Sequence, residues 1–168
     1  EDGFMFSDIP FDNLVFDGEF EDLEVYKIVI SESKQIESNY ADFNDVVIVI
    51  DADDVSFTGR SYFTVDGNAV SGPVIAIYGD NVTVENVNID YSTAKDTEAY
   101  GILIYEADGV SVDNARIDFE SNSVGTPGYT QHAIQIHSSS NVNITKGTIN
   151  SKLPACDVDF ASQGIDQD

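Results

Sequence analysis

The densest run of groups able to do chemistry is Asp51-Ala52-Asp53-Asp54. Clustered carboxylates are hard oxygen donors of the kind Ca²⁺ takes, but Ca²⁺ needs about six to eight oxygens, more than this run supplies alone. The EF-hand and repeat-in-toxin loop patterns are absent. Asp-rich bends between strands are first of all solvated turns. No cofactor is expected, and a structural Ca²⁺ is the one metal these acids would suit. His132 and His137 are five apart, so on a strand they face opposite sides and cannot share a metal. Cys156 is alone, which excludes an internal disulfide and a Cys-rich zinc site. A different kind of candidate is the series Tyr78, Tyr105 and His137, which recurs at spacings of 27 and 32 residues. Aromatic groups at a fixed repeat are contact groups, provided the fold brings them together on one exposed face.

That repeat is real. Val55-Ser-Phe-Thr-Gly59, Val82-Thr-Val-Glu-Asn86, Val110-Ser-Val-Asp-Asn114 and Val142-Asn-Ile-Thr-Lys146 align without gaps, 27, 28 and 32 residues apart. Each alternates apolar and polar residues, as a half-buried strand does. A second apolar strand precedes each: Val46–Ile50, Val74–Ile77, Ile102–Ile104 and Ala133–Ile136. A third follows the last three: Val87–Ile89, Ala115–Ile117 and Gly147–Ile149. After the first, the stretch Tyr62–Val65 is looser. Three short strands cannot close a core alone. Coiled one above the next, they bury Ile and Val and pair backbones about 4.8 Å apart. The expected fold is therefore all-β, a parallel β-helix, a solenoid of about five turns over residues 25–160. Its inward ladders are Ile50, Ile77, Ile104, Ile136 and Val55, Val82, Val110, Val142. Gly59, Asn86, Asn114 and Lys146 close each second strand, where a left-handed bend fits. An antiparallel sandwich would not repeat the same three-strand order.

The ends differ. Val25–Ile30 and Lys34–Ile36 predict a short, less regular first turn. Residues 1–24 hold five of the ten Phe and are expected to cap the N-terminal edge, the competing role being a hydrophobic partner-binding arm. Residues 161–168 read as a polar tail at a truncation point. The last turn is then open and available for end-to-end association.

If Ile77, Ile104 and Ile136 point inward, Tyr78, Tyr105 and His137 stack outside, with Asp51 on the turn before. Beside them on the same face come Val49, Ala76, Leu103 and Gln135, an apolar strip that a loop or the N-terminal segment could cover. A second outward ladder is Asn88, Arg116, Thr148, followed by Asp90, Asp118, Asn150, in which Arg116 reads as a surface ion pair. The turns differ mainly in Asp66–Pro73, Ser92–Tyr100 and Glu120–Gln131, all on one edge, and insertions on one edge often build a solenoid's binding face. Tyr100 and Tyr129 join the candidate ligand-binding residues on that ground. The sequons Asn81-Val82-Thr83 and Asn143-Ile144-Thr145 make Asn81 and Asn143 candidate glycosylation sites.

Charge narrows the partners. Seven Lys+Arg stand against 31 Asp+Glu, a net charge of −24. That argues against nucleic acid and against docking on anionic lipid, and no run of about 18 apolar residues could cross a membrane. A soluble, solvated exterior accounts for the acids, and adaptation to high salt would also fit.

At Asn81-Val-Thr-Val-Glu-Asn-Val-Asn-Ile89, Asp108-Gly-Val-Ser-Val-Asp-Asn-Ala-Arg-Ile117 and Ser140-Asn-Val-Asn-Ile144 the chain resembles the right-handed parallel β-helix repeats of the pectate-lyase-like superfamily, which implies a right-handed solenoid. With its acidic balance and the exit Asn150-Ser-Lys-Leu-Pro-Ala-Cys-Asp-Val158, it is similar more narrowly to the adhesin-like surface proteins of methanogenic archaea. That resemblance implies a secreted, extracellular, cell-surface protein that binds a glycan or protein on a host or neighbouring cell. Lyases of the superfamily use Ca²⁺ carboxylates with an Arg or Lys base, and its galacturonan hydrolases use Gly-His-Gly and Arg-x-Lys motifs. Neither motif occurs here, and no two of the seven cations adjoin. A non-catalytic adhesin module is the expectation. The alternatives are a fragment of a polysaccharide lyase or hydrolase, and a passive structural stalk.

Overall fold

The computed structural model describes residues 14–16, 26–66, 72–93, 99–121, 131–151, 156–158, 164 and 166–167. Among them the chain is all-β, in two sheets whose neighbouring strands are parallel apart from one pair. The first sheet runs in the order β1 (Leu14–Phe16), β2 (Tyr26–Ile30), β4 (Val46–Ile50), β6 (Gly72–Ile77), β9 (Ala99–Tyr105), β12 (Gln131–His137) and β15 (Cys156–Val158). Only β1 lies antiparallel, with Leu14 opposite Ile30.

The second sheet has two branches. The short strands β7 (Thr83–Glu85), β10 (Ser111–Asp113), β13 (Asn143–Thr145) and β16 (Asp166–Gln167) form one. The strands β8 (Val87–Thr93), β11 (Arg116–Ser121) and β14 (Thr148–Ser151) form the other. Two long strands, β3 (Gln35–Asn44) and β5 (Ser56–Asp66), run through both, and β5 joins the branches. Each repeat thus gives one strand to the first sheet and two segments to the second.

The local cause of the bend is a left-handed residue. Gly59 (φ 88°), Asn86 (58°), Asn114 (53°) and Lys146 (52°) all have positive φ. These are the four residues that the spacing singled out. At Gly59 the backbone of Ser38 comes so close that an added Cβ would lie 1.8 Å from its carbonyl oxygen. Only glycine fits there. Because β5 bends without losing its pairing to β3, the two strands expected around Gly59 are one, and Tyr62–Val65 is as regular as its counterparts.

The first turn is also fuller than Lys34–Ile36 predicts. β3 continues to Asn44, burying Ala41 and Phe43 and exposing Asp42 and Asn44. Its register slips between Asn39 and Ala41, where Tyr40 takes φ 56°. One inserted residue hides the alternation from a gapless alignment.

The core is built from inward ladders. Ile50, Ile77, Ile104 and Ile136 are in register and have no exposed surface. Val55, Val82, Val110 and Val142 are at most 1 % exposed. Each such side chain stabilises the fold by about 1.5–3 kcal/mol relative to exposure. Phe43 stacks on Phe63 at 4.6 Å, and Tyr91 meets Phe119 edge-on at 5.4 Å.

At the ends, only Leu14–Phe16 of the expected capping segment 1–24 falls within the described residues. Of the expected tail 161–168, residues 164 and 166–167 are described. Asp166–Gln167 pairs with β13 as β16, and Gly164 (φ 64°) sits over Asn141 much as Gly109 (φ 72°) sits over Asn81. Among the described residues there is no helix long and apolar enough to cross a membrane.

Candidate binding surfaces

Strand alternation delivers the outward aromatic series. With Ile77, Ile104 and Ile136 buried, the following residues emerge on the other side. Tyr105 and His137 are opposite each other in register, and the Tyr78 N–H donates to the Ile50 carbonyl at 2.9 Å. The Tyr105 and His137 rings are stacked, 4.7 Å apart and 11° from parallel. Tyr78 meets Tyr105 edge-on at 5.9 Å and 62°. Both geometries suit the quadrupoles of aromatic rings. Tyr78 keeps 41 % of its surface exposed, and Tyr105 and His137 are half-buried.

The strip beside this stack differs from a free apolar face. Val49, Ala76, Leu103 and Gln135 are in register, as the alternation predicts. Yet Ala76 is 1 % and Gln135 7 % exposed, and the Gln135 Oε1 has no hydrogen-bond partner among the described residues. Tyr100, expected among the ligand-binding residues, is not the exposed loop residue that its place in the sequence predicts. It lies within β9, between Pro73 and His132 in register, and is buried. Its position in the sequence is beside a variable loop, yet only 8 % of its surface is exposed. Tyr129 lies outside the described residues, as do 67–71, 94–98 and 122–130 of the three variable loops. The described ends of those loops belong to strands: Gly72 and Pro73 to β6, Ala99 and Tyr100 to β9.

The acidic corner has a structural use. The Asp80 N–H donates to Asp53 Oδ1 at 2.8 Å, and the Asp108 N–H donates to Asp80 Oδ1 at 2.8 Å. Asp108 Oδ1 accepts from the Ser140 hydroxyl at 2.5 Å and from the Asn141 amide at 2.6 Å. These bonds, the Ser140 hydroxyl foremost, hold the Asp108 carboxyl below its ordinary pKa of 3.8. Carboxylates one repeat apart thus tie each bend to the next. Asp53, Asp80 and Asp108 were legible as a series, being 27 and 28 residues apart like the strands.

Asn81 is part of this corner. It has φ 55°, is exposed, and its side-chain amide donates to Asp54 Oδ1 at 3.3 Å. Asn143 is exposed on β13, in register between Ser111 and Asp166. In the second outward ladder, Tyr62, Asn88, Arg116 and Thr148 are in register, and so are Thr64, Asp90, Asp118 and Asn150. Arg116 Nε contacts Asp118 Oδ2 at 3.1 Å, on its own strand. His132 is half-buried opposite Tyr100, and because the consecutive residues Ala133 and Ile134 both enter the core, simple alternation does not run unbroken from His132 to His137.

No protein-family model and no curated protein matches the sequence. Among solved structures the chain is similar to a protein from Parabacteroides merdae ATCC 43184 described as a "putative glycosyl hydrolase", with a TM-score of 0.52 at 12 % identity. The match covers 86 % of this chain and 78 % of that one. At that identity the likeness is one of fold.

Proposed function

We propose that this chain is a right-handed parallel β-helix of about five turns, serving as a non-catalytic recognition module of a secreted cell-surface adhesin. Its partner is a glycan or a protein on a host or neighbouring cell. The observation that carries this reading is the Tyr78–Tyr105–His137 stack, with Tyr78 open to solvent. Rings on successive strands are close enough to contact one sugar or one peptide strand. A net charge of −24 favours a neutral or cationic partner and disfavours polyuronates. The repeat order of the two sheets and the fold likeness support the β-helix, and β1 pairing antiparallel along the edge of β2 supports an N-terminal cap. The resemblance of the Asn-Val-Asn-Ile segments to adhesin-like proteins of methanogenic archaea supports surface display. Asn143 would be the more accessible of the two glycosylation sites, because the Asn81 amide is already engaged.

A second reading, a polysaccharide-active enzyme, draws on the description of the Parabacteroides protein of similar fold. A glycan array and a reducing-sugar assay on pectin and related polymers separate the two. Array binding that is lost in the folded Tyr78→Ala, Tyr105→Ala double variant, without turnover, supports the adhesin. Turnover abolished by removing one carboxylate decides for the enzyme. Undiminished binding by the double variant discards the stack as the contact face.

A further inference from the structure

The outer face of the β5–β8–β11 branch holds a depression of about 390 Å³. Its side-chain lining is Tyr62, Thr64, Asn88, Asp90, Arg116 and Asp118. Phe63 and Ile89, which share its floor, send their side chains to the core, where both are buried. Register fixes the pattern. Tyr62, Asn88 and Arg116 form one row, and Thr64, Asp90 and Asp118 form the next. Rows on one face of a strand are about 7 Å apart and strands about 4.8 Å, so one cell of this grid is about the size of a single sugar ring.

Its members are not equally committed. Asp118 is held by the Arg116 guanidinium at 3.1 Å, and the Asn88 amide donates to the Ser61 carbonyl at 3.3 Å. Asp90 is exposed and has no hydrogen bond or ion pair among the described residues. Tyr62 is 38 % exposed, although aromatic, and its hydroxyl is likewise unpartnered among the described residues.

We propose that this depression is a second ligand site, for an uncharged saccharide residue that lies against Tyr62 and hydrogen-bonds to Asp90. It lies on the other sheet from the aromatic stack, and it stands or falls without it. The charge pattern selects the class. A free Asp90 beside Asp118 repels phosphates, sulfates and uronates. Arg116 in the same depression repels a cationic side chain and already neutralises Asp118. One uncommitted carboxylate falls well short of the about six to eight oxygens of a Ca²⁺ site. What remains is a neutral group with a C–H face for the ring and hydroxyls for the acceptors. A carboxylate, an amide and a threonine hydroxyl at the other corners of one grid cell from an aromatic ring suit a polyhydroxylated ring.

The test is an NMR titration of the isotope-labelled chain with three sets of probes. These are neutral oligosaccharides (cello-, manno- and N-acetylchito-series), oligo-arginine, and CaCl₂ alone. The expected result is that a neutral sugar shifts the amides of Tyr62, Asn88, Asp90 and Arg116, with a dissociation constant on the order of 1 mM. Tyr62→Ala should weaken that binding about tenfold while Tyr62→Phe retains most of it. Asp90→Asn, an exposed isosteric change that keeps the fold, should weaken it severalfold. The proposal is overturned if no neutral sugar moves these amides, or if only oligo-arginine or Ca²⁺ does. It is also overturned if folded Tyr62→Ala and Asp90→Asn bind as the parent does. Shifts confined to Tyr78 and Tyr105 would overturn this site and leave the aromatic stack as the contact face.

Discussion

Asn114 donates its side-chain amide to the Oδ1 of Asn86 at 2.7 Å, one repeat below, and both residues have positive φ. The two roles are linked. Asn tolerates the left-handed region better than other non-glycine residues, and there its amide reaches the equivalent residue of the next repeat. Lys146 ends the series with a different device. Its ammonium reaches Asp113 at 3.1 Å instead of an asparagine.

Asn114→Ala should therefore destabilise the fold by about 1–2 kcal/mol, because alanine tolerates the left-handed region less well than asparagine and a hydrogen bond is lost. Asn114→Gly keeps the conformation and should cost less. Urea denaturation midpoints of the two variants, compared with the parent, give the order. A glycine variant as unstable as the alanine one would show that the conformation is not the issue.

Gly79 makes a sharper steric test. A Cβ there would lie 1.8 Å from the Ala52 carbonyl oxygen, while at Gly147 the nearest atoms would be 3.8 Å away. Gly79→Ala is expected to cost about 3 kcal/mol and Gly147→Ala no more than about 0.5 kcal/mol. Thermal melts of the pair would reveal it, and equal losses would contradict the close approach at Gly79.

Ile104 lies in the middle of the inward ladder with no exposed surface. Ile104→Val should cost about 1 kcal/mol. Ile104→Asp should unfold the chain, because an unpaired buried charge costs several kcal/mol. Far-UV circular dichroism distinguishes them. A folded, β-rich Asp variant would place Ile104 outside the core.

Acid sensitivity follows from two carboxylates. Asp108 is held below 3.8 chiefly by the Ser140 hydroxyl, and Asp113 chiefly by the Thr145 hydroxyl, then by Lys146. A folded pKa below the unfolded value means that the stabilisation is complete above 3.8 and is lost as pH falls through the lowered values. The melting temperature of the parent should exceed that of the Asp108→Asn, Asp113→Asn variant at neutral pH. The gap should close only below 3.8. A gap independent of pH would mean that ionisation of these groups does not matter.

Within the aromatic stack, Tyr105 touches both neighbours, while Tyr78 and His137 each touch one of the three. Tyr105→Ala should cost about 1 kcal/mol more binding energy than Tyr78→Ala or His137→Ala, because it also separates the two remaining rings. Dissociation constants for whichever array ligand binds would decide this. Equal losses would imply three independent contacts.

The residues themselves carried much of the fold. Alternation within Val82–Glu85 or Ile102–Ile104 says which side chains share a face, because side-chain direction in a strand is a local property. From it the inward ladders, the left-handed positions 59, 86, 114 and 146, and the alignment of Tyr78 with Tyr105 and His137 were all legible. The slip at Tyr40 was not, since one inserted residue breaks the count on which alternation depends.

Exposure was a different matter. Tyr100, beside a variable loop, is buried, and Ala76 and Gln135 on an outward strip are buried too. Tyr62 and Asp90 belong to one depression although 28 residues separate them, and Asp53, read as a solvated turn, receives the backbone of Asp80. A strand's own sequence sets which way each side chain points. What lies across from it, from the next repeat or from above the sheet, is set by chain segments tens of residues away, and only their packing decides it.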